Sequence, residues 1–374
     1  MKICFVVSEI GFFLSHRYAL VKEISSKHRV VLITDTSKAT PRNFLKLEDA
    51  GIEIIPLKRR SNSASLSEYL RYVIELKNKI IICSPEYVFF TTIELSMFGA
   101  LIHNRIGVKK AFFLITGFGP FFLPNDFKTR LFRVIHKVAY LFLIFKKNFK
   151  FIFQNQDDMN IFISENISNK SNSLVISGNG IDTKEFPFIE RSDKKELTFL
   201  FAARLVESKG INEFLEAGKI TMTKYPETKF VVAGKLDFEN PETISEKTYE
   251  SLKDSRIEFL GEVSYEEMNN LYKKATIFVL PSYREGLPKV ALEAASTGMP
   301  LILTNVPGCR ECVVDNVNGY LIREKDSHDL ISKMEKFILN PEIIRLMSMS
   351  SRKIIEERFS LNLFSQEFLR LIKE

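Results

Sequence analysis

The chain has 374 residues, 45% hydrophobic and 26% charged. At ~150 residues per domain this is too long for one ordinary domain, and it is apolar enough to exclude a disordered chain. The formal net charge of +7 points to nucleic acid, anionic lipid or a phosphorylated substrate.

In chain order, short β-branched or aromatic runs alternate with helix-length amphipathic stretches. The first half predicts strands at Ile3–Val7, Val30–Thr34, Ile52–Leu57, Val88–Thr91, Ala111–Ile115 and Phe151–Gln154. Helices fall between most of them, as at Ser15–Ser26, Leu66–Lys77 and Glu94–Arg105. The polar, charged stretch Phe186–Glu196 (FPFIERSDKKE) then reads as an interdomain linker. Beyond it, strands are predicted at Leu197–Ala202, Phe230–Ala233, Ile257–Leu260, Ile277–Leu280 and Leu301–Thr304. The helices there are Ile211–Lys224, Tyr265–Lys274 and Lys289–Thr297. Such alternation means parallel sheets with helices on both faces, hence an α/β chain of two doubly wound, Rossmann-like domains at 1–186 and 197–355. Ligands of these domains bind beyond the carboxyl ends of the strands, so a cleft between them is the expected site.

MKICFVVS enters a strand directly, so no signal peptide is expected. Cys4, Cys83, Cys309 and Cys312 read as reduced thiols of a cytoplasmic protein, and the lone C-x-x-C at Cys309 and Cys312 lacks further ligands for zinc. No Asp-x-Asp occurs to hold a divalent ion on a diphosphate. The expectation is therefore no metal and no cofactor. His28, His103 and His328 show no ligand-like spacing and are expected at the surface.

Two segments carry candidate chemistry. After the strand ending at Ala202 comes AARLVESKG, in which Arg204 offers a planar fork and Lys209 a flexible point charge. A pyrophosphate suits that pair; two surface cations of a basic protein are the other reading. In PSYREGLPKVALEAASTGMP, Glu285 and Gly286 lie in a loop and Pro288 suits a first helical turn. Gly286 lets backbone approach a ligand, and the helix start offers N–H groups to an anion or hydroxyls. Against this stands a plainer reading, in which Glu293 pairs with Lys289 and Glu285 is solvated.

The order of motifs resembles the retaining glycosyltransferases of family 4. It runs NGIDTKEF at Asn179–Phe186, ARLVESKG, FLGEV at Phe259–Val263, then EGLPKVALEA with E-x7-E from Glu285 to Glu293, and PGCRE at Pro307–Glu311. The resemblance implies the GT-B fold and sugar transfer from a UDP-sugar with retention of configuration. By that likeness Arg204 and Lys209 hold the donor diphosphate, and Glu285 meets the transferred sugar with the amides around Gly286 and Leu287. Glu293 grips the ribose, and Phe259, Gly261 and Glu262 lie against the base. Asn179 and Pro288 complete the donor set. The segment 356–374, with a helix near Leu361–Lys373, is expected to return to the first domain, as in the family.

The first half departs from the pattern. Paired glycines are common after the first strand, but SEIGFFLSHRYAL has Gly11 alone. His16 follows, and its F-L-S-H-R context resembles a subgroup that acts on lipid-linked sugars. Thr116 stands where many members carry a His, followed by Gly117 and Gly119 in LITGFGPFF. Histidine acid–base help at that position is thus excluded. Gly11, His16, Thr116 and Gly117 form the expected acceptor side, and a polyprenyl-diphosphate-linked sugar of a surface polysaccharide is the implied acceptor.

Phe127–Lys150 is basic and aromatic, with Leu131, Val134, Ile135, Val138, Phe142 and Phe145 at helical spacing and Arg130, Arg133 and Lys137 on another face. Its apolar run is far shorter than the ~20 residues that span a bilayer. A core helix is one reading. The other is a helix lying peripherally on the inner face of the cytoplasmic membrane, helped by Lys146, Lys147, Lys150, Phe121 and Phe122; the clustering of charge favours membrane over nucleic acid. Two other functions fit the architecture: a nucleotide-sugar epimerase, which would turn over donor without acceptor, and a non-catalytic partner in polysaccharide assembly, which would not need the motif charges intact.

Overall fold

The structure, a computed structural model, describes residues 1–58, 65–117, 127–141, 143, 148–191, 196–236, 242–246, 248–249 and 256–373. The chain divides into two compact units, Met1–Gly180 with Asn362–Glu374, and Ile181–Leu361.

In the first unit the order is β1 (Lys2–Glu9), α1 (Ile10–His16), α2 (Tyr18–Ser25), β2 (Arg29–Asp35), α3 (Pro41–Asp49), β3 (Ile52–Pro56) and α4 (Leu66–Cys83). Then come β4 (Tyr87–Thr91), α5 (Ile93–Ile102), β5 (Lys110–Ile115), α6 (Phe127–Leu141), β6 (Phe149–Phe153), α7 (Gln156–Ser164) and β7 (Ser173–Val175). All strand pairs are parallel, in the order β3-β2-β1-β4-β5-β6-β7. Strands such as KICFVVSE are apolar almost throughout because both faces are covered. One face packs under α4, α5 and α6. On the other, Phe5, Phe89 and Phe112 stack across three strands at 4.8 and 4.4 Å. Phe368 of the last helix lies 5.7 Å from Phe89.

In the second unit come β8 (Thr198–Ala202), α8 (Ile211–Lys224), β9 (Lys229–Ala233), β10 (Glu258–Gly261), α9 (Tyr265–Lys274), β11 (Ile277–Leu280), α10 (Lys289–Ser296) and β12 (Leu301–Thr304). β13 (Gly319–Ile322), α11 (Ser327–Leu339) and α12 (Glu342–Ile354) follow; α13 (Leu361–Lys373), which ends the chain, belongs from Asn362 on to the first unit. The sheet order is β10-β9-β8-β11-β12-β13, again parallel. In each sheet the chain first adds strands on one side and then crosses to the other. The switch points are therefore between β1 and β4, and between β8 and β11.

Several expectations are corrected. Phe186–Glu196 is no linker in its described part. Phe186 is buried in the second core and its carbonyl accepts from Ser296 Oγ at 2.7 Å. Arg191 is buried and donates to the carbonyls of Tyr272, Ala275 and Gly298, near the carboxyl ends of α9 and α10. A cation there satisfies carbonyls that the helices leave open. The division falls instead after Gly180. The helix expected at Ser15–Ser26 starts at Ile10 and breaks at Arg17. Nor is His103 a surface residue: it is buried, with Nε2 2.8 Å from Asn148 Oδ1.

In its described part, the stripe on α6 is not a core stripe. Val134, Ile135 and Val138 are 55%, 48% and 49% exposed, while His136, Ala139 and Tyr140 face the core. Tyr140 OH donates to Ile93 O at 3.2 Å, which fixes that face inward. Lys137 is paired with Glu165. Gly119, Phe121, Phe122, Phe142, Phe145, Lys146 and Lys147 lie outside the described residues, as do the side chains of Arg130, Leu131 and Arg133. Among the described residues no helix is long and apolar enough to cross a membrane.

Candidate active site

At the second switch point the loops leaving β8 and β11 are locked together. The turn Glu207–Lys209 ends at Gly210, which has φ +73°. A Cβ there would stand 2.1 Å from Pro281 O, so only glycine allows this approach. Tyr283 N donates to Ser208 O at 2.9 Å. The loop after β12 closes the third side: Glu285 N donates to Pro307 O at 3.3 Å, and Gly308, at φ +81°, lies so close that a Cβ would be 2.4 Å from Glu285 O. Thus ARLVESKG, the E-x7-E segment and PGCRE form one rigid knot of backbone.

That knot brings Lys209 to Glu285. Lys209 Nζ donates to Glu285 Oε1 at 2.6 Å, with side chains 20% and 13% exposed. Ser282 Oγ donates to the same oxygen at 2.9 Å. Glu285 is therefore not the solvated carboxylate of the plainer reading. Arg204 is exposed on the turn after β8. Leu287 is buried in the core below, and Pro288 caps α10 with no side-chain hydrogen bond. The first turn of α10 thus carries no side-chain cap, and a helix start of this kind favours an anion or hydroxyl.

Glu293 is 3% exposed and doubly held. Lys289, one turn earlier, pairs with it as the plainer reading expected, and Tyr272 OH donates to Oε2 at 3.0 Å. Burial first, then Glu293, pushes the Tyr272 hydroxyl well above the usual phenol range, so it stays a donor. Lys289 also lies 4.6 Å from the Tyr265 ring centroid. Ser282 and Tyr272 are the residues that hold the two carboxylates. Tyr272 gives no sign of this in the sequence, because it sits on a different helix; Ser282 sits in the motif loop itself.

The remaining candidates are spread more widely. Phe259 packs edge-on to Tyr249 at 5.2 Å, Gly261 O accepts from Gly234 N at 2.8 Å, and exposed Glu262 pairs with Lys235 at 2.6 Å. Asn179 belongs to the first unit, buried, its Oδ1 accepting from Gln154 Nε2 at 3.1 Å. Gly11 lies in the first turn of α1, not in a loop, and a Cβ there would meet nothing within 4 Å. His16 stacks on Phe12 at 4.4 Å, with Nδ1 2.7 Å from Ser15 Oγ. Thr116 and Gly117 directly follow β5. Cys309 and Cys312 are buried and unbridged, their thiols raised chiefly by burial. Among the described residues no cluster of three His, Cys, Asp or Glu could hold a metal ion.

Residues 182–354 match the family described as Glycosyl transferases group 1. The chain is 29% identical to the N,N'-diacetylbacillosaminyl-diphospho-undecaprenol alpha-1,3-N-acetylgalactosaminyltransferase of Campylobacter jejuni, over 99% of this chain and 98% of that one. It is 31% identical to the UDP-Gal:alpha-D-GlcNAc-diphosphoundecaprenol alpha-1,3-galactosyltransferase of Escherichia coli, over 55% of each. Anabaena HepE, solved with UDP and glucose, superposes with a TM-score of 0.79 at 17% identity, covering all of both chains. That likeness carries the fold, which is GT-B.

Proposed function

We infer that this glycosyltransferase, whose residues 182–354 form a Glycosyl transferases group 1 domain, moves a hexose or N-acetylhexosamine from a UDP-sugar to a polyprenyl-diphosphate-linked saccharide, with retention of configuration. The observation that carries the reading is the pairing of Lys209 with Glu285 at the switch point of the second sheet, 2.6 Å apart. The chemistry of the Campylobacter and E. coli relatives, both acting on undecaprenyl-diphosphate-linked acceptors, supports the acceptor class. The donor nucleotide rests on the UDP-Gal of the latter.

An arriving diphosphate competes with Glu285 for Lys209. Once Lys209 and Arg204 turn to the phosphates, Glu285 is released toward the hydroxyls of the transferred sugar, beside the amides of Gly286 and Leu287. The two cations stabilise charge that develops on the leaving UDP. Glu293, fixed by Lys289 and Tyr272, accepts from the ribose, while Phe259, Gly261 and Glu262 flank the base. Asn179 and Pro288 complete the donor set. Gly11, His16, Thr116 and Gly117 belong to the acceptor side. No divalent ion is required, since Arg204 and Lys209 supply the positive charge.

The exposed Val134, Ile135, Val138 and Leu141 of α6 support peripheral binding to the inner face of the cytoplasmic membrane, where such an acceptor lies. The test is a UDP-sugar panel offered with polyprenyl-diphosphate-linked mono- and disaccharides, followed by mass spectrometry and the anomeric proton coupling of the product. Transfer with an α-linked product is expected from an α-configured donor. Turnover of donor to its epimer without acceptor would replace the reading with an epimerase, and no turnover of any donor would refute it.

A further inference from the structure

The helical pair α1 and α2 shows one buried stripe at core spacing: Ile10, Phe13, Arg17, Leu20, Val21 and Ile24. An arginine stands in the middle of it. Arg17 is 2% exposed, its Nε makes no hydrogen bond, and no ion pair to the guanidinium occurs among the described residues. Burial alone lowers its pKa to about 10, so it remains a cation at neutral pH. A buried charge with no partner costs several kcal/mol, and one that persists calls for a counter-charge from elsewhere.

The surroundings suit an oxyanion. Arg17 is at once the C-cap residue of α1 and the N-cap residue of α2, so the charge at this break is that of the guanidinium itself, the two helix ends opposing one another. α1 packs on β1 and α2 on β2. Near the carboxyl end of β2, Thr34 is 1% exposed and its Oγ1 also lacks a partner. Val31 and Ile33 face the α4–α6 side, so alternation turns Thr34 to the α2 side. Helical side chains lean toward the helix start, and α1 starts where β1 ends. That end lies at the switch point with β4, the place where doubly wound sheets take ligands.

We propose that Arg17 is the cationic member of an oxyanion site of the first unit, on the α2 side of the sheet with Thr34, that takes a diphosphate ester. The guanidinium supplies a two-pronged donor. The function proposed above enters only in naming the source, which is the diphosphate of the lipid-linked acceptor.

The test uses the full chain with saturating UDP, so that the donor loops are occupied, and titrates inorganic pyrophosphate calorimetrically. Arg17→Met should keep or raise Tm, since it removes an unpaired buried charge, and should weaken pyrophosphate at least ~10-fold. In turnover, KM for the lipid-linked acceptor should rise by a similar factor with KM for the UDP-sugar unchanged. A rise in the donor KM instead would keep the site and assign it to the donor diphosphate. A folded Arg17→Met with unchanged pyrophosphate binding and unchanged KM values overturns the proposal. If Arg17→Met does not fold, Arg17→Lys decides, because it keeps the charge and loses the fork: unchanged pyrophosphate affinity and KM there overturn it equally. Pyrophosphate binding needs no turnover, so this result stands apart from whether the wild type transfers sugar.

Discussion

Lys209→Met and Glu285→Gln, made singly and together, separate support of the fold from catalysis. Both side chains are mostly out of water, and their 2.6 Å contact is backed by Ser282 Oγ. Breaking a buried pair from one side costs ~3–5 kcal/mol; the residual exposure here reduces this to ~2 kcal/mol for Lys209→Met. Tm should then fall by about 4–8 °C. Glu285→Gln should cost less, ~1 kcal/mol, because Lys209 can turn to solvent. The double variant removes both charges and should recover most of the lost Tm. Turnover should not recover. Losing a preorganised cation at the leaving diphosphate costs ~10²-fold or more, and the sugar contact of Glu285 is lost with it. Thermal melts and product quantification by mass spectrometry on the same preparations measure both. A double variant that regains turnover along with stability, or a Lys209→Met with wild-type turnover, would refute the catalytic assignment and leave an ordinary buried ion pair.

Three further outcomes are expected. Gly210→Ala should destabilise the second unit by ~2 kcal/mol or more, since its Cβ meets Pro281 O at 2.1 Å and φ is +73°; a variant melting like wild type would show that the loops are not locked there. Turnover should be unchanged in excess EDTA, and activity restored by Mg²⁺ or Mn²⁺ after EDTA would reveal a missed ion. Replacing Val134, Ile135 and Val138 with serine should weaken binding to anionic liposomes by at least ~3 kcal/mol, ~10²-fold or more, which is ~0.8 kcal/mol for each methylene-sized group lost when about half of the carbons removed enter the lipid. Tm should barely move because all three are exposed; liposome binding indifferent to the change would end the membrane reading of α6.

What the sequence makes legible follows from how locally each feature is determined. Strands buried on both faces are continuous apolar runs, so β1, β2, β4 and β11 can be read directly, whereas β7 (SLV) has three residues and opens on a serine, and β13 (GYLI) opens on a glycine, which breaks the run. Ile211–Lys224 and Tyr265–Lys274 are bounded by their own glycine and serine signals, and the helices fall there. The start of α1 is hidden because IGFFL continues an apolar strand without a capping residue. The motif loops are legible as chemistry but not as geometry. Lys209 and Glu285 lie 76 positions apart, and only the parallel sheet, through Gly210 against Pro281, makes them neighbours. Arg191 fails in the opposite direction: a charge in a polar stretch reads as solvated, yet it finds carbonyls at two helix ends.

The helix α6 shows where local reading stops in principle. Its period says that Val134, Ile135 and Val138 share a face, and a period cannot say what that face meets. The core side is set by Tyr140, whose hydroxyl reaches Ile93 O, and by His136 and Ala139, residues that look less apolar than the valines opposite. A phenol can be buried when a partner satisfies its hydroxyl, as Ile93 O does for Tyr140, and β-branched aliphatic groups gain nothing from facing water. A helix that buries the first set and exposes the second is arranged against its own hydrophobicity unless the exposed side has a non-aqueous neighbour. Lys137 cannot be that face's lipid anchor while it is paired with Glu165. Apolar contact, rather than the lysine charge, therefore has to supply any attachment through the described part of α6, and the serine substitutions are the variants that decide it.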